Sequence, residues 1–93
     1  MSEEKLSELK KEIKEIDKEI IRLLNQRADF STELNNLKIE DGVPLYNGFE
    51  EMEQMEAIER YSDYTNMIQT IYPGILKYAR TLYNDNIRAI TMH

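Results

Sequence analysis

Arg27 is the residue whose neighbours explain it least. It stands between Leu23 and Phe30 in a run where every third or fourth residue is apolar. A helix there would carry the guanidinium onto an apolar face. Burying that charge unpaired is costly, so an anion must meet it, either a carboxylate of the protein or one on a ligand. A snorkelling arginine or a register-setting ion pair accounts for the pattern equally well. Lys38 lies 11 residues further on, about three turns plus 20° of rotation, so the two cations share nearly one face with Cα atoms about 16 Å apart. Side chains of that length can hold a small dicarboxylate between them. Taken alone, Lys38 is also the lysine that the end of a helix favours. Glu51 adds a carboxylate able to accept a ligand hydroxyl or to pair with Arg27. Tyr83 adds a phenol, which most often serves as a core residue with one hydrogen bond.

The element that must position these groups is a long first helix. Leu6, Leu9, Ile13, Ile16, Ile20, Leu23, Arg27, Phe30, Leu34 and Leu37 advance in steps of three and four, a heptad seam. Ser2, Glu3 and Glu4 mark its start, and Asp41-Gly42 with Pro44 its stop. The predicted span, about Glu4 to Glu40, is about 55 Å long. A compact chain of this size has a radius of gyration of about 12 Å, so one copy cannot wrap the helix and a second copy is expected along the seam. Lys10 is about 25 Å from Arg27 along the same helix. It can reach a site at Arg27 only from the partner of an antiparallel pair, and it otherwise reads as a surface lysine.

A loop with Gly42, Pro44 and Gly48 leads to a second helix, predicted from about Phe49 to Tyr61 with Glu51 on its inner side. Ser62-Asp63 reads as a turn and N-cap. The third helix is predicted from Tyr64 to about Ile90, kinked or restarted at Pro73, with Ala79 and Tyr83 one turn apart on its inner face. The five methionines and the remaining tyrosines read as packing. The fold class is all-α, with three helices (long, short, medium) in one domain over residues 1–93.

Composition removes whole classes of chemistry. There is no cysteine, and His93 is the single histidine, so thiol nucleophiles, disulfides, histidine triads and Cys/His metal sites are not expected. A net charge of −6 argues against nucleic acid, which calls for a basic face. No stretch approaches the about 20 apolar residues of a membrane span, and residues 1–14 lack the apolar core of a signal peptide. A soluble, cytoplasmic protein without membrane association is expected.

The run LSELKKEIKEIDKEIIRLLNQRADFSTELNNLK, followed by GVPLYNGFEE, resembles the all-helical chorismate mutases over residues 6–52. Ile71-Tyr72 and ARTLY extend the likeness loosely. The resemblance implies an intertwined homodimer that rearranges chorismate to prephenate without cofactor, metal or covalent intermediate. By the same resemblance, Arg27 binds one substrate carboxylate and Lys10 of the partner subunit binds the other. Lys38 donates to the ether oxygen and a carboxylate, and Glu51 accepts the substrate hydroxyl. Several positions depart from the pattern. Asn47 replaces a frequent aspartate, Glu50 an arginine, Ala79 a serine that supports a carboxylate, and Tyr83 the glutamine that donates to the ether oxygen. Lysine at position 10 gives up the bidentate grip of the usual arginine. These changes predict a slow mutase, with Tyr83 either substituting for the glutamine or filling the pocket and leaving Lys38 as the donor.

A pericyclic rearrangement needs no acid, base or nucleophile. It needs a folded conformer held by its two carboxylates and cations facing the charge that builds on the ether oxygen. A similar pocket suits an isochorismate-pyruvate lyase. A mutase-like domain that binds a metabolite with little catalysis, and a purely structural helical dimer, complete the alternatives.

Overall fold

The computed structural model describes residues 2–84, and these form three helices: α1 (Ser2–Glu40), α2 (Gly48–Glu59) and α3 (Thr65–Ala79). The described part is all-α. The longest dimension is 66 Å and the radius of gyration 17.9 Å, far from the compact value because α1 runs well beyond the other two helices.

Helix α1 is rich in Leu, Ile, Lys and Glu, all of which tolerate helical backbone well apart from a small cost for Ile. Glu3 and Glu4 lie at its positive end and Lys38 in its last turn, the signs the helix dipole favours. Its outer surface carries Glu15–Lys18 and Glu19–Arg22 ion pairs one turn apart. The helix stops as expected at Asp41-Gly42. Gly42 takes a φ of 71°, a left-handed conformation that a side chain would oppose. Val43 N–H then donates to the Lys38 carbonyl at 2.8 Å and Gly42 N–H to that of Ile39 at 3.2 Å, the paired bonds of a Schellman ending.

Two apolar stripes run along α1. Leu24, Ala28, Ser31, Asn35 and Ile39 are half-buried or buried, on the stripe that faces the rest of the chain. The heptad seam lies about one residue round the helix and stays open, with Phe30 at 70% exposure and Leu34 at 52%. Arg27 sits where the two stripes meet. Helices α2 and α3 form the closer pair, and α3 is the one that packs on α1. Ile68 and Leu76 of α3 and Asn35 of α1 are the buried side chains among the described residues.

The predicted third helix is too long. It ends at Ala79, and residues 80–84 leave the helix; the rest of the predicted span, 85–90, falls outside the described residues. Asn35 supplies the physical reason. Its Nδ2 donates to the carbonyls of Ala79 at 2.7 Å and Leu82 at 2.8 Å. A continuing helix would offer the Ala79 carbonyl to the amide of Tyr83; here it accepts instead from the buried asparagine and, at 3.2 Å, from Leu82 N–H. Asn36 Oδ1 accepts from Asn84 N–H at 2.9 Å, pinning the same segment to α1. Tyr83 is therefore not one turn beyond Ala79 on an inner helical face.

Pro73 lies inside α3, which neither stops nor restarts there. Its missing N–H leaves the Gln69 carbonyl without a helical donor, but both residues are exposed and water can serve. Ser62 does not cap α3; its Oγ accepts from Tyr64 N–H at 2.9 Å, closing a local turn, and Tyr64 is the capping residue without a side-chain bond. No described helix is long and apolar enough to cross a membrane.

Candidate active site

The last third of α1, the first turns of α2 and the end of α3 enclose one polar cavity. Arg27, Ser31, Asn35 and Lys38 line it from α1. Asn47, Glu50, Glu51 and Gln54 line it from the start of α2, and Leu76, Ala79 and Arg80 from the end of α3. The Schellman ending of α1 turns the chain sharply enough to bring α2 back over Lys38. Asn47 begins α2 by accepting the Glu50 N–H on Oδ1 at 3.1 Å, a side-chain N-cap. That cap sets the direction of the first turn, which carries Glu51 inward.

Of the residues predicted from sequence, the cavity brings together Arg27, Lys38, Asn47, Glu51 and Ala79. It does not include Lys10, which is exposed on the part of α1 beyond reach of the other helices. Nor does it include Tyr83, which lies in the segment after α3. Asn47 has a structural task as the α2 cap, with its amide nitrogen left to other partners.

The cations are held differently. Neither Arg27 nor Lys38 has an ion-pair or hydrogen-bond partner among the described residues, so no described carboxylate answers Arg27. Glu51, the carboxylate best placed by sequence to do so, pairs instead with Arg80, whose Nε lies 2.8 Å from Glu51 Oε1. The Arg80 guanidinium also stacks on the Tyr46 ring, with Cζ 4.3 Å from its centroid. The phenol oxygen of Tyr46 would meet a Cβ at position 48 at 2.9 Å, so Gly48 makes room for that ring. In Tyr46-Asn47-Gly48, the three residues supply in turn a platform, a cap and a gap.

Arg80 and Asn35 are the residues that sequence reasoning missed. The sequence carries a faint signal for each, a charge beside Ala79 and an amide on the covered stripe of α1. Neither signal names a partner that is 29 or 44 positions away in the chain.

The polar cavity is small, about 80 Å³. It adjoins a larger open groove of about 490 Å³ between α1 and α3, lined by Ile21, Leu24, Ile71, Ile75 and Leu82, and sharing Arg27, Ser31 and Ala79 with it. The cavity holds the charge and the groove holds the room.

Residues 9–89 match the family described as Chorismate mutase type II. The chain belongs to the chorismate mutase type II family. A curated relative, the bifunctional chorismate mutase/prephenate dehydratase of Aquifex aeolicus (strain VF5), is 42% identical over 72 residues, which cover 77% of this chain and 18% of the relative. The chain thus spans about a fifth of that relative's length. No solved structure matches. Membership agrees with the all-helical fold, and the five predicted residues that meet in one cavity do so in the setting of this family.

Proposed function

We propose that this domain binds chorismate and rearranges it to prephenate as a homodimer. The observation that carries the proposal is the pair of unanswered cations, Arg27 and Lys38, converging on one cavity in a chorismate mutase type II domain. In this reading Arg27 holds one substrate carboxylate. Lys38 faces the ether oxygen and a carboxylate, and Glu51 accepts the substrate hydroxyl. A second copy lays the first half of its α1 along the open groove and completes the site with Lys10 of the partner subunit. The enzyme's work is to select the folded conformer and to meet the charge that develops as the carbon–oxygen bond breaks. Asn47 and Ala79 complete the wall. Tyr83 lies outside the cavity wall, which leaves Lys38 as the donor to the ether oxygen and makes the reaction slow.

The test is loss of chorismate absorbance, with isochorismate in parallel, for the wild type, Arg27→Ala, Lys38→Ala and Tyr83→Phe. Chorismate consumption with prephenate as product is expected in the wild type. Arg27→Ala should abolish binding, and Lys38→Ala should lower turnover by about a hundredfold or more, the scale for losing one charge-stabilising donor. Tyr83→Phe should change little. Pyruvate release from isochorismate without prephenate formation would refute the mutase reading in favour of a lyase. A wild-type chain inert to both substrates would leave a binding domain.

A further inference from the structure

The cavity contains a third cation with no role in the function proposed above. Arg80 reaches it from the first residue beyond α3, and three features hold it in place. Its backbone N–H caps α3 by donating to the Leu76 carbonyl, which fixes the base of the side chain. The Tyr46 ring supports one face of the guanidinium, and Glu51 draws the Nε edge. Arginine is well suited to such a position because its planar fork stacks and donates in one plane.

The arrangement is incomplete as it stands. Arg80 Nε is buried and has no aligned hydrogen bond despite its closeness to Glu51. No described residue accepts from the rest of the guanidinium. The walls carry three cations, Arg27, Lys38 and Arg80, and two carboxylates, Glu50 and Glu51. One of those carboxylates is already committed to Arg80. A fork that is oriented, partly desolvated and short of acceptors is preorganised for a planar anion.

We propose that Arg80 is a ligand-binding residue of this site and takes one carboxylate of a dicarboxylate from the α3 side, while Arg27 and Lys38 hold the ligand from α1. Tyr46 is the positioning residue that keeps the fork facing the cavity. The inference rests on the site proposed above but not on its reaction, since any rigid diacid of suitable span would be sorted from its monoacid by Arg80.

Calorimetric titration of the full chain tests it. The probes are a bridged bicyclic ether dicarboxylate shaped like the rearrangement's transition state, and isophthalate against benzoate as a diacid and monoacid that cannot rearrange. In the wild type both diacids should bind more tightly than benzoate. Arg80→Gln should weaken the diacids roughly ten- to a hundredfold, the range for a charged hydrogen bond, and leave benzoate unchanged. Arg80→Lys should recover part of the loss, and circular dichroism should show both variants folded. If Arg80→Gln weakens benzoate as much as isophthalate, Arg80 acts only through Glu51 or the fold, and the proposal is overturned. A wild type that does not prefer diacids overturns it equally. If the chain leaves chorismate unchanged yet shows an Arg80-dependent diacid preference, the proposed reaction fails and this inference stands. Normal chorismate turnover at unchanged KM in Arg80→Gln gives the reverse result.

Discussion

The two halves of α1 share one composition and one periodicity, and their surroundings differ completely. From Ser2 to Leu23 every residue is exposed, including Leu6, Leu9, Ile13, Ile16 and Ile20. From Leu24 to Ile39 the stripe one residue round is covered by the other helices and carries the cavity residues Arg27, Ser31, Asn35 and Lys38. An apolar seam in an amphipathic helix states only that something must cover it. In the second half α3 covers the neighbouring stripe, and polar residues on that stripe become site residues. In the first half no described segment covers the seam, and in the dimer proposed above the same alternation is the surface for a second copy.

The comparison breaks most visibly if the first half of α1 is loaded with charge. Ile13→Glu with Ile20→Glu should reduce the mass measured by light scattering to that of one chain, 11.1 kDa, and should abolish turnover through loss of Lys10 of the partner subunit. The Glu15–Lys18 and Glu19–Arg22 pairs keep their members and glutamate is the better helix former, so a loss would come from the seam. A wild type that already scatters as one chain, or a charged variant that remains a dimer, would show that the exposed half of α1 is not the interface.

A smaller effect is expected in the second half. Asn35→Leu keeps the number of side-chain heavy atoms but removes the amide that donates to the Ala79 and Leu82 carbonyls, leaving the Ala79 carbonyl only the Leu82 N–H. A cost of about 2 kcal/mol is expected for losing buried hydrogen bonds of this kind, or about 10 °C in a thermal melt of a domain this size. Dimer mass should not change, because the residue is on the covered stripe and not on the seam. An unaltered melting temperature would mean that water replaces the amide without cost, and that the end of α3 is held by packing alone.

The smallest effect belongs to the solvent side of α1. The carboxyl of Glu19 is held below its ordinary value, chiefly by the hydrogen bond from Arg22; desolvation opposes this, and the charge of the guanidinium adds the smallest part. A carboxylate whose folded pKa is depressed stabilises the fold above its unfolded pKa, and the contribution disappears as pH falls through the folded one. The pair is fully exposed and screened by salt. Glu19→Gln should therefore flatten the acid limb of the melting curve slightly, and the difference should vanish in high salt. A difference that persisted in salt would place the pair in a buried contact.

Much of the arrangement was legible without coordinates, for local reasons. The seam, the shared face of Arg27 and Lys38, the stop at Asp41-Gly42 and the inward side of Glu51 all follow from helical spacing and from backbone preferences within a few residues. Even the placement of Lys38 is local, since its carbonyl accepts the bond that ends the helix. The third helix is shorter than its spacing predicts because the apolar pattern continues through Leu82 and Tyr83, and spacing carries no information about a donor arriving from another helix.

What the sequence determined by itself is therefore which faces exist, where α1 and α2 begin or end, and which cations can converge, because these depend on contacts between near neighbours in the chain. What tertiary structure decided is the partner of each polar group. Asn35 ends α3, Glu51 turns to Arg80 and not to Arg27, and Arg80 enters the cavity on the support of Tyr46. Those choices lie between residues tens of positions apart, and they are settled by which buried donor meets which acceptor once the helices are packed.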